Sequence, residues 1–302
     1  VPEVLGGAGA TVADGFDILR AAGGGAVAVP LAETLLAGWL LSKAGMDTPA
    51  GPMTVALGGA GAGIHLDGDA LTGRARAVPF AGEARHIALI ADTADGPRAA
   101  LVEAGACRVE AGTGIAGDGL ADVTFDAAPV AARGETESVD PGDLMVMGAA
   151  VRATQMAGAL AAILDIAVDY AQERKAFGRA IAKFQAVQHN LARLAGETAA
   201  ALAAAGSAAD AIAHAEAFDE AVFLEVAAAK IRAGEAAGEG AAIAHQVHGA
   251  IGFTQEHVLH RFTRRLWAWR DDFGSESEWA AGLGAMVAAN GADRLWPMLA
   301  AR

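Results

Sequence analysis

The chain has 302 residues, with 22 Lys+Arg against 36 Asp+Glu, a formal net charge of −14, and one cysteine, Cys107. This excludes an intrachain disulfide framework and a multi-cysteine metal site, and argues against a nucleic-acid partner or an anionic-membrane surface. With 54% hydrophobic residues, five Trp and ten Phe, the chain can build a sizeable core and is no acidic disordered tail.

Residues 1–50 begin Gly-rich and then turn apolar at helical spacing. Asp14 is placed to cap a helix through Leu19. Pro30 is placed to open a second helix with Leu31, Leu35, Trp39 and Leu40 on one side, ending near Gly45. The sequence opens at Val1 without an initiator Met, so further residues are expected before it. The lack of a signal-peptide pattern sets a cytoplasmic expectation.

Residues 51–140 consist of short apolar runs cut by Gly, Asp and Pro, which predicts a small antiparallel β domain. Its strands are expected at Met53–Leu57, His86–Ile90, Val123–Phe125 and, less distinctly, Val102–Val109, with a strand–turn–strand over Leu66–Gly73. The glycine run 58–63 lacks the third-glycine spacing and following helix of a dinucleotide loop.

Residues 141–302 are Ala-, Leu- and Glu-rich. They predict long antiparallel helices over 142–173, 184–215, 218–248, 256–270 and 276–300, a helical bundle. The Ala tract 198–209 belongs to a close-packed helix. The most apolar stretch, 149–167, carries Arg152, Gln155 and Asp165, so a membrane span is not expected.

Positive charge is concentrated in Arg174, Lys175, Arg179, Lys183 and Arg193, and again in Arg261, Arg264, Arg265 and Arg270. In the run Tyr170–His189, cations and amides gather where one helix is expected to stop at Phe177-Gly178 and the next to start at Phe184-Gln185. Such a place can hold phosphates, or it can be a basic helix end stabilised by its own dipole. In His245–His257, Gly249 and Gly252 would let the backbone approach a flat ligand, or simply make a helix–helix turn, with Glu256 starting the next helix. The pairs His245/His248 and His257/His260 lack a third metal ligand and read as packing histidines. Cys107 reads as an inert buried thiol. Trp267 and Trp269 face different sides of a helix, one toward core and one toward an interface.

The tandem YAQERKAFGRAIAKFQAVQH … QVHGAIGFTQEH resembles the two flavin-site signatures of the acyl-CoA dehydrogenases. VPEVLGGAG and VPLAET are similar to that family's N-terminal helical domain. The resemblance covers about residues 1–275. It implies a mainly α fold with a small β domain: an N-terminal helical domain (1–50), a middle β-barrel-like domain (51–140) and a C-terminal four-helix bundle (141–302). It also implies FAD, α,β-dehydrogenation of an acyl-CoA thioester, and electron transfer to an electron-transferring flavoprotein. By the same resemblance, Arg174 would contact the FAD pyrophosphate of a neighbouring subunit and Phe177 would pack near the adenosine. Gln185 would help hold the cofactor, Gln246 and Gly249 would approach its ADP moiety, and Ala250 replaces the second glycine of the usual pair.

The family's base positions are empty of carboxylate. One falls on Phe273, in Asp271–Glu276, and the other on Gly148. The loop and strand that hold the flavin ring are reduced as well. The combination resembles the non-base-bearing subunit of heteromeric members, which are associated with bulky substrates such as steroid side-chain CoA thioesters. In that arrangement a second, related subunit would supply the base. The alternatives are a self-sufficient homomer using Asp271, Asp272 or Glu276, and a silent scaffold. Asp272 or Ser275 would otherwise cap the last helix.

Overall fold

The computed structural model describes residues 1–57, 63–136 and 139–300. The chain forms two compact units, one of Val1–Gly15 with Ala28–Gly148 and one of Phe16–Val27 with Ala149–Arg302.

α1 (Val12–Gly24), whose first residues belong to the first unit and whose remainder, from Phe16, belongs to the second, begins after Thr11. The Thr11 amide and hydroxyl both donate to Asp14, whose own amide donates to the Thr11 hydroxyl. Thr11 is therefore the cap and Asp14 its reciprocal partner, a correction to the expected cap at Asp14. α2 (Leu31–Lys43) follows Pro30 and buries Ala32, Leu36, Ala37, Leu40 and Leu41. The inward face thus lies one position over from that expected, and Leu31, Leu35 and Trp39 are only half-buried.

The β domain comprises β1 (Met53–Ala56), β2 (His65–Asp67), β3 (Ala70–Pro79), β4 (His86–Thr93), β5 (Gly96–Glu103), β6 (Arg108–Thr113) and β7 (Gly119–Gly134). β4 pairs β2, β2 pairs β3, β3 pairs β7, β7 pairs β5 and β5 pairs β4, so five strands close a ring. β1 and β6 add on to β4 and β7. The β2–β3 hairpin aligns Asp67 with Ala70 across Gly68-Asp69, and β4–β5 aligns Thr93 with Gly96. The domain is not wholly antiparallel, since β1 and β2 each run parallel to β4. The expected strand at Val102–Val109 is the end of β5, a 3-10 turn at Ala104–Ala106, and the start of β6. Ile64, Leu71, Val78, Ile87, Leu89, Val102, Val123 and Phe125 fill the ring with apolar side chains, which drives its closure. Residues 58–62 of the glycine run lie outside the described residues. Cys107 is half-buried, and burial pushes its thiol up to about 11, as an inert thiol requires.

The second unit is built on α3 (Pro141–Glu173), α4 (Gln185–His214), α5 (Glu220–His248), α6 (Leu259–Asp271), α7 (Glu276–Asn290) and α8 (Ala292–Ala300), with α3 entering it from Ala149. α5 packs against α4, α6 and α7. A Cβ on Gly240 of α5 would lie 2.7 Å from Leu160 of α3 and 3.1 Å from Leu194 of α4, so a hydrogen is what lets these three helices meet. In the Ala tract, Ala201, Ala205 and Ala208 face inward at helical spacing. The chain after α5 does not re-enter helix at Glu256. A 3-10 turn, Gly249–Phe253, comes first and α6 starts at Leu259. The last expected helix is two, broken at Gly291 with φ +80°. Among the described residues α3 is long and apolar enough to cross a membrane by length and composition, and 67% of its most apolar window is buried inside the fold.

Candidate functional site

α3 ends at Glu173, where the helical run over 142–173 places it and before the stop expected at Phe177-Gly178, with the Arg174 amide donating to the Tyr170 carbonyl at 2.8 Å. The chain then forms a hairpin of β8 (Lys175–Ala176) and β9 (Arg179–Ala180). Phe177 and Gly178 make its turn with φ +51° and +78°, so Gly178 serves the hairpin and not a helix stop. A Phe in that region of backbone space is strained, and here it holds its ring 96% exposed. The edge of the Phe177 ring meets Phe184 at 6.2 Å, and the Arg179 guanidinium lies 4.3 Å from the Phe184 ring centre. Arg174 projects from the base of the hairpin with its side chain exposed. Gln185, also exposed, opens α4 directly after it.

The second segment is the last turn of α5 and the 3-10 turn. Gln246 is exposed on α5. Gly249 has φ +63° and ψ −142°, and its N–H donates to the His245 carbonyl. A Cβ there would meet nothing within 4 Å, so this chain needs glycine for the dihedral and leaves the space beside it open. Gly252 differs from the expectation. It is buried, and a Cβ would come within 2.9 Å of the His248 Cβ and 3.3 Å of Leu259, so it serves the chain's own packing. Ala250 is exposed.

Tyr170 brings the two segments together. Its hydroxyl donates to the His248 carbonyl at 3.2 Å, and its ring stacks on the His248 imidazole at 4.5 Å. The His257 ring stands edge-on to Tyr170 at 6.0 Å and 4.5 Å from His248. The motif gives Tyr170 no role of its own; its signals in the sequence are its position one helical turn before Arg174 and its being the chain's single tyrosine. His245 stacks between Phe253 at 4.5 Å and Trp267 at 5.8 Å, and its Nε2 lies 3.1 Å from the Thr263 hydroxyl. Trp269 is buried, while Trp267 is half-buried. Burial pulls His245, His248 and His257 below their ordinary value, and mutual repulsion adds to this at His248. These histidines are therefore neutral packing groups near pH 7.

The base positions are occupied by structure. Gly148 is buried in α3. Phe273 is buried with φ +55°, its carbonyl accepts from the Trp279 indole at 2.8 Å, and the Arg152 guanidinium lies 5.7 Å from its ring centre. Buried Arg152 also pairs with Asp272 at 2.9 Å and donates to Gln155 at 2.7 Å. Arg270 pairs with Glu276 at 2.5 Å. Ser275 caps α7 in a reciprocal box with Glu278, so Asp272 is not the cap. Lys230, fully buried, donates to the carbonyls of Trp269, Arg270 and Gly274 at 3.2, 2.6 and 2.7 Å. Asp271 is exposed at the end of α6. Among the described residues no cluster of three or more His, Cys, Asp or Glu could hold a metal ion.

Residues 143–270 match the family model described as acyl-CoA dehydrogenase, C-terminal domain. The chain is 30% identical over 270 residues to acyl-CoA dehydrogenase IpdE2 of Mycobacterium tuberculosis, covering 88% of this chain and 74% of that protein. Among solved structures it resembles the ChsE4-ChsE5 complex from Mycobacterium tuberculosis, with a TM-score of 0.86, 26% identity, and 95% of this chain and 84% of that chain covered. It also resembles the Tcur3481-Tcur3483 steroid ACAD, with a TM-score of 0.83, 28% identity, and 96% and 84% covered. Both signatures within one unit and these matches together place the chain in the acyl-CoA dehydrogenase family, an oxidoreductase family whose cofactor is FAD.

Proposed function

We propose that this chain is the subunit of a heteromeric, FAD-dependent acyl-CoA dehydrogenase that holds the ADP end of the cofactor, while a second, related subunit supplies the base. The observation that carries this reading is the state of the carboxylates around Phe273. Asp272 is held by Arg152 and Glu276 by Arg270, and Phe273 itself cannot accept a proton. A general base must reach the proton it removes with an available lone pair, and these two carboxylates are engaged in ion pairs. The chain's likeness to the ChsE4-ChsE5 and Tcur3481-Tcur3483 assemblies, each of two differently named chains, supports a second subunit.

The residues present fit the ADP end. Arg174 offers a planar guanidinium to a pyrophosphate, and Phe177 offers an exposed flat ring to an adenine. The exposed amides of Gln185 and Gln246 can each donate and accept at polar edges, and Gly249 presents backbone with open space beside it. All five point into solvent in the single chain, as contacts made across a subunit boundary would. FAD, when bound, supplies the oxidising flavin that accepts hydride from the β-carbon of an acyl-CoA thioester. This chain's part is to bind and orient. The acyl group is proposed to be bulky, of the steroid side-chain kind, and an electron-transferring flavoprotein is the proposed acceptor.

Native mass spectrometry of the assembly isolated from its source tests the reading. Two chain types with one FAD per two chains is the expected result. One chain type with one FAD per chain would sink the heteromer and make Asp271, Asp272 and Glu276 the residues to test. Two chain types whose flavin content is untouched by Arg174→Ala would instead make this chain a scaffold.

A further inference from the structure

The flavin-contacting residues proposed above sit on two separate pieces of chain, and a clamp of two arms works only if something sets their spacing. Arg174 and Phe177 lie on the hairpin that hangs from the end of α3. Gln246 and Gly249 lie at the end of α5. Tyr170 is on the last turn of α3, and its carbonyl takes the Arg174 amide at 2.8 Å, so its backbone anchors the first arm. Its hydroxyl donates to the carbonyl of His248, the residue immediately before Gly249, at 3.2 Å, so its side chain anchors the second.

The surroundings hold this joint in one geometry. The Tyr170 ring stacks on His248 at 4.5 Å with 25° between planes, and His257 closes its edge at 6.0 Å. The His248 Nδ1 is tied to the Ala244 carbonyl at 2.7 Å, so the platform under the tyrosine is fixed to α5. His248 is also 3% exposed, which leaves the ring little room to move.

We propose that Tyr170 is a positioning residue for the ADP half of the cofactor: one side chain sets the distance between the Arg174 arm and the Gly249 arm. This rests on the ADP-clamp reading above and deepens it. Tyr170 touches neither phosphate nor adenine in this account. It acts by keeping the two arms in register before the cofactor arrives, which lowers the ordering cost of binding.

The test uses the full assembly stripped of flavin, titrated with FAD and separately with ADP. Tyr170→Phe keeps the stacked ring and loses only the hydroxyl. Both ligands are expected to weaken by about fivefold, the size of one net hydrogen bond. In an Arg174→Ala background the same change is expected to weaken ADP by clearly less than fivefold, because the arm being positioned then carries only Phe177. A merely structural tyrosine would lower the melting temperature of stripped and loaded protein equally and leave both dissociation constants alone.

Unchanged binding in Arg174→Ala would defeat the clamp reading itself. Weakened binding in Arg174→Ala with none in Tyr170→Phe, or full additivity of the two, would overturn this inference alone. Because the chain has a single tyrosine, 3-fluorotyrosine incorporated into this subunit and assembled with an unlabelled partner gives one fluorine resonance. Saturating ADP is expected to shift and sharpen it. A resonance unmoved by ADP that binds normally would overturn the inference even if Tyr170→Phe failed to fold.

Discussion

The buried guanidinium of Arg152 takes the carboxylate of Asp272 at 2.9 Å, so the acidic group next to Phe273 is spent on neutralising an interior charge. Arg152 is 3% exposed, and a cation so placed is costly without its partner. The pair therefore belongs to the folding of the second unit.

Asp272→Asn should thus lower stability by about 2 kcal/mol, the loss of one hydrogen bond to a charged group, and leave turnover of the assembled enzyme nearly unchanged. Glu276→Gln should behave alike through Arg270. Urea denaturation measures the first quantity and steady-state kinetics the second. A drop of about a thousandfold in kcat in either variant, with the fold intact, would mark that carboxylate as a base.

Lys230→Met should be more damaging, by about 3 kcal/mol in urea denaturation, because two backbone carbonyls in the last turn of α6 and that of Gly274 in the turn after it lose their donor together. Burial pushes the Lys230 ammonium down to about 8 from its usual 10.5. Between those values the unfolded chain binds more protons than the folded one, so this group's contribution to stability rises with pH. The stability difference between the parent chain and Lys230→Met should accordingly widen from pH 8 toward pH 10.5. A difference flat across that window would show that the amine keeps its ordinary value.

On the acid side, His245, His248 and His257 are all pulled below 6.5, chiefly by burial. Below that pH the unfolded chain takes up protons that the folded chain refuses, and stability falls as pH falls. Melting temperatures measured in steps downward from pH 7 should decline, and His248→Leu should flatten part of the decline. An equally steep decline in the variant would assign the acid sensitivity to other groups.

The two glycines near the end of α5 should separate by mechanism. Gly252→Ala should cost about 1–3 kcal/mol through overpacking against His248 and Leu259. Gly249→Ala meets no steric obstacle in this chain but forces alanine into φ +63°, at a cost of about 1–3 kcal/mol in strain. Only Gly249→Ala should also weaken FAD in the assembly, read by flavin titration.

Long periodic segments were legible in the sequence because burial and helix share one period. α3, α4 and α5 fall within two residues of the ends that periodicity gives them, 142–173, 184–215 and 218–248. Phe177-Gly178 looks like a helix stop but is the turn of a hairpin, because strand pairing of Lys175 with Ala180 takes over directly after Glu173. Asp14 looks like the cap, but Thr11, three residues earlier, takes that place: its hydroxyl accepts from the Asp14 amide, and its own amide donates back to the Asp14 carboxylate. In the β domain the runs of apolar residues were visible, but the parallel alignment of β1 with β4 was not, since direction between distant strands leaves no local mark. The candidate residues Arg174, Phe177, Gln185, Gln246 and Gly249 came from motif resemblance. The Tyr170–His248 joint is a through-space contact between residues 78 apart in the chain, and no local spacing rule encodes it.

The closed ring of the first unit has an implication for how the protein is made. β2, β3, β4 and β5 are complete by Glu103, yet β3 and β5 each wait for β7, which ends at Gly134. During synthesis, therefore, a nascent chain carries two open strand edges until β7 has left the ribosomal exit tunnel. Both edges are sealed together, by one strand, before most of the bundle exists.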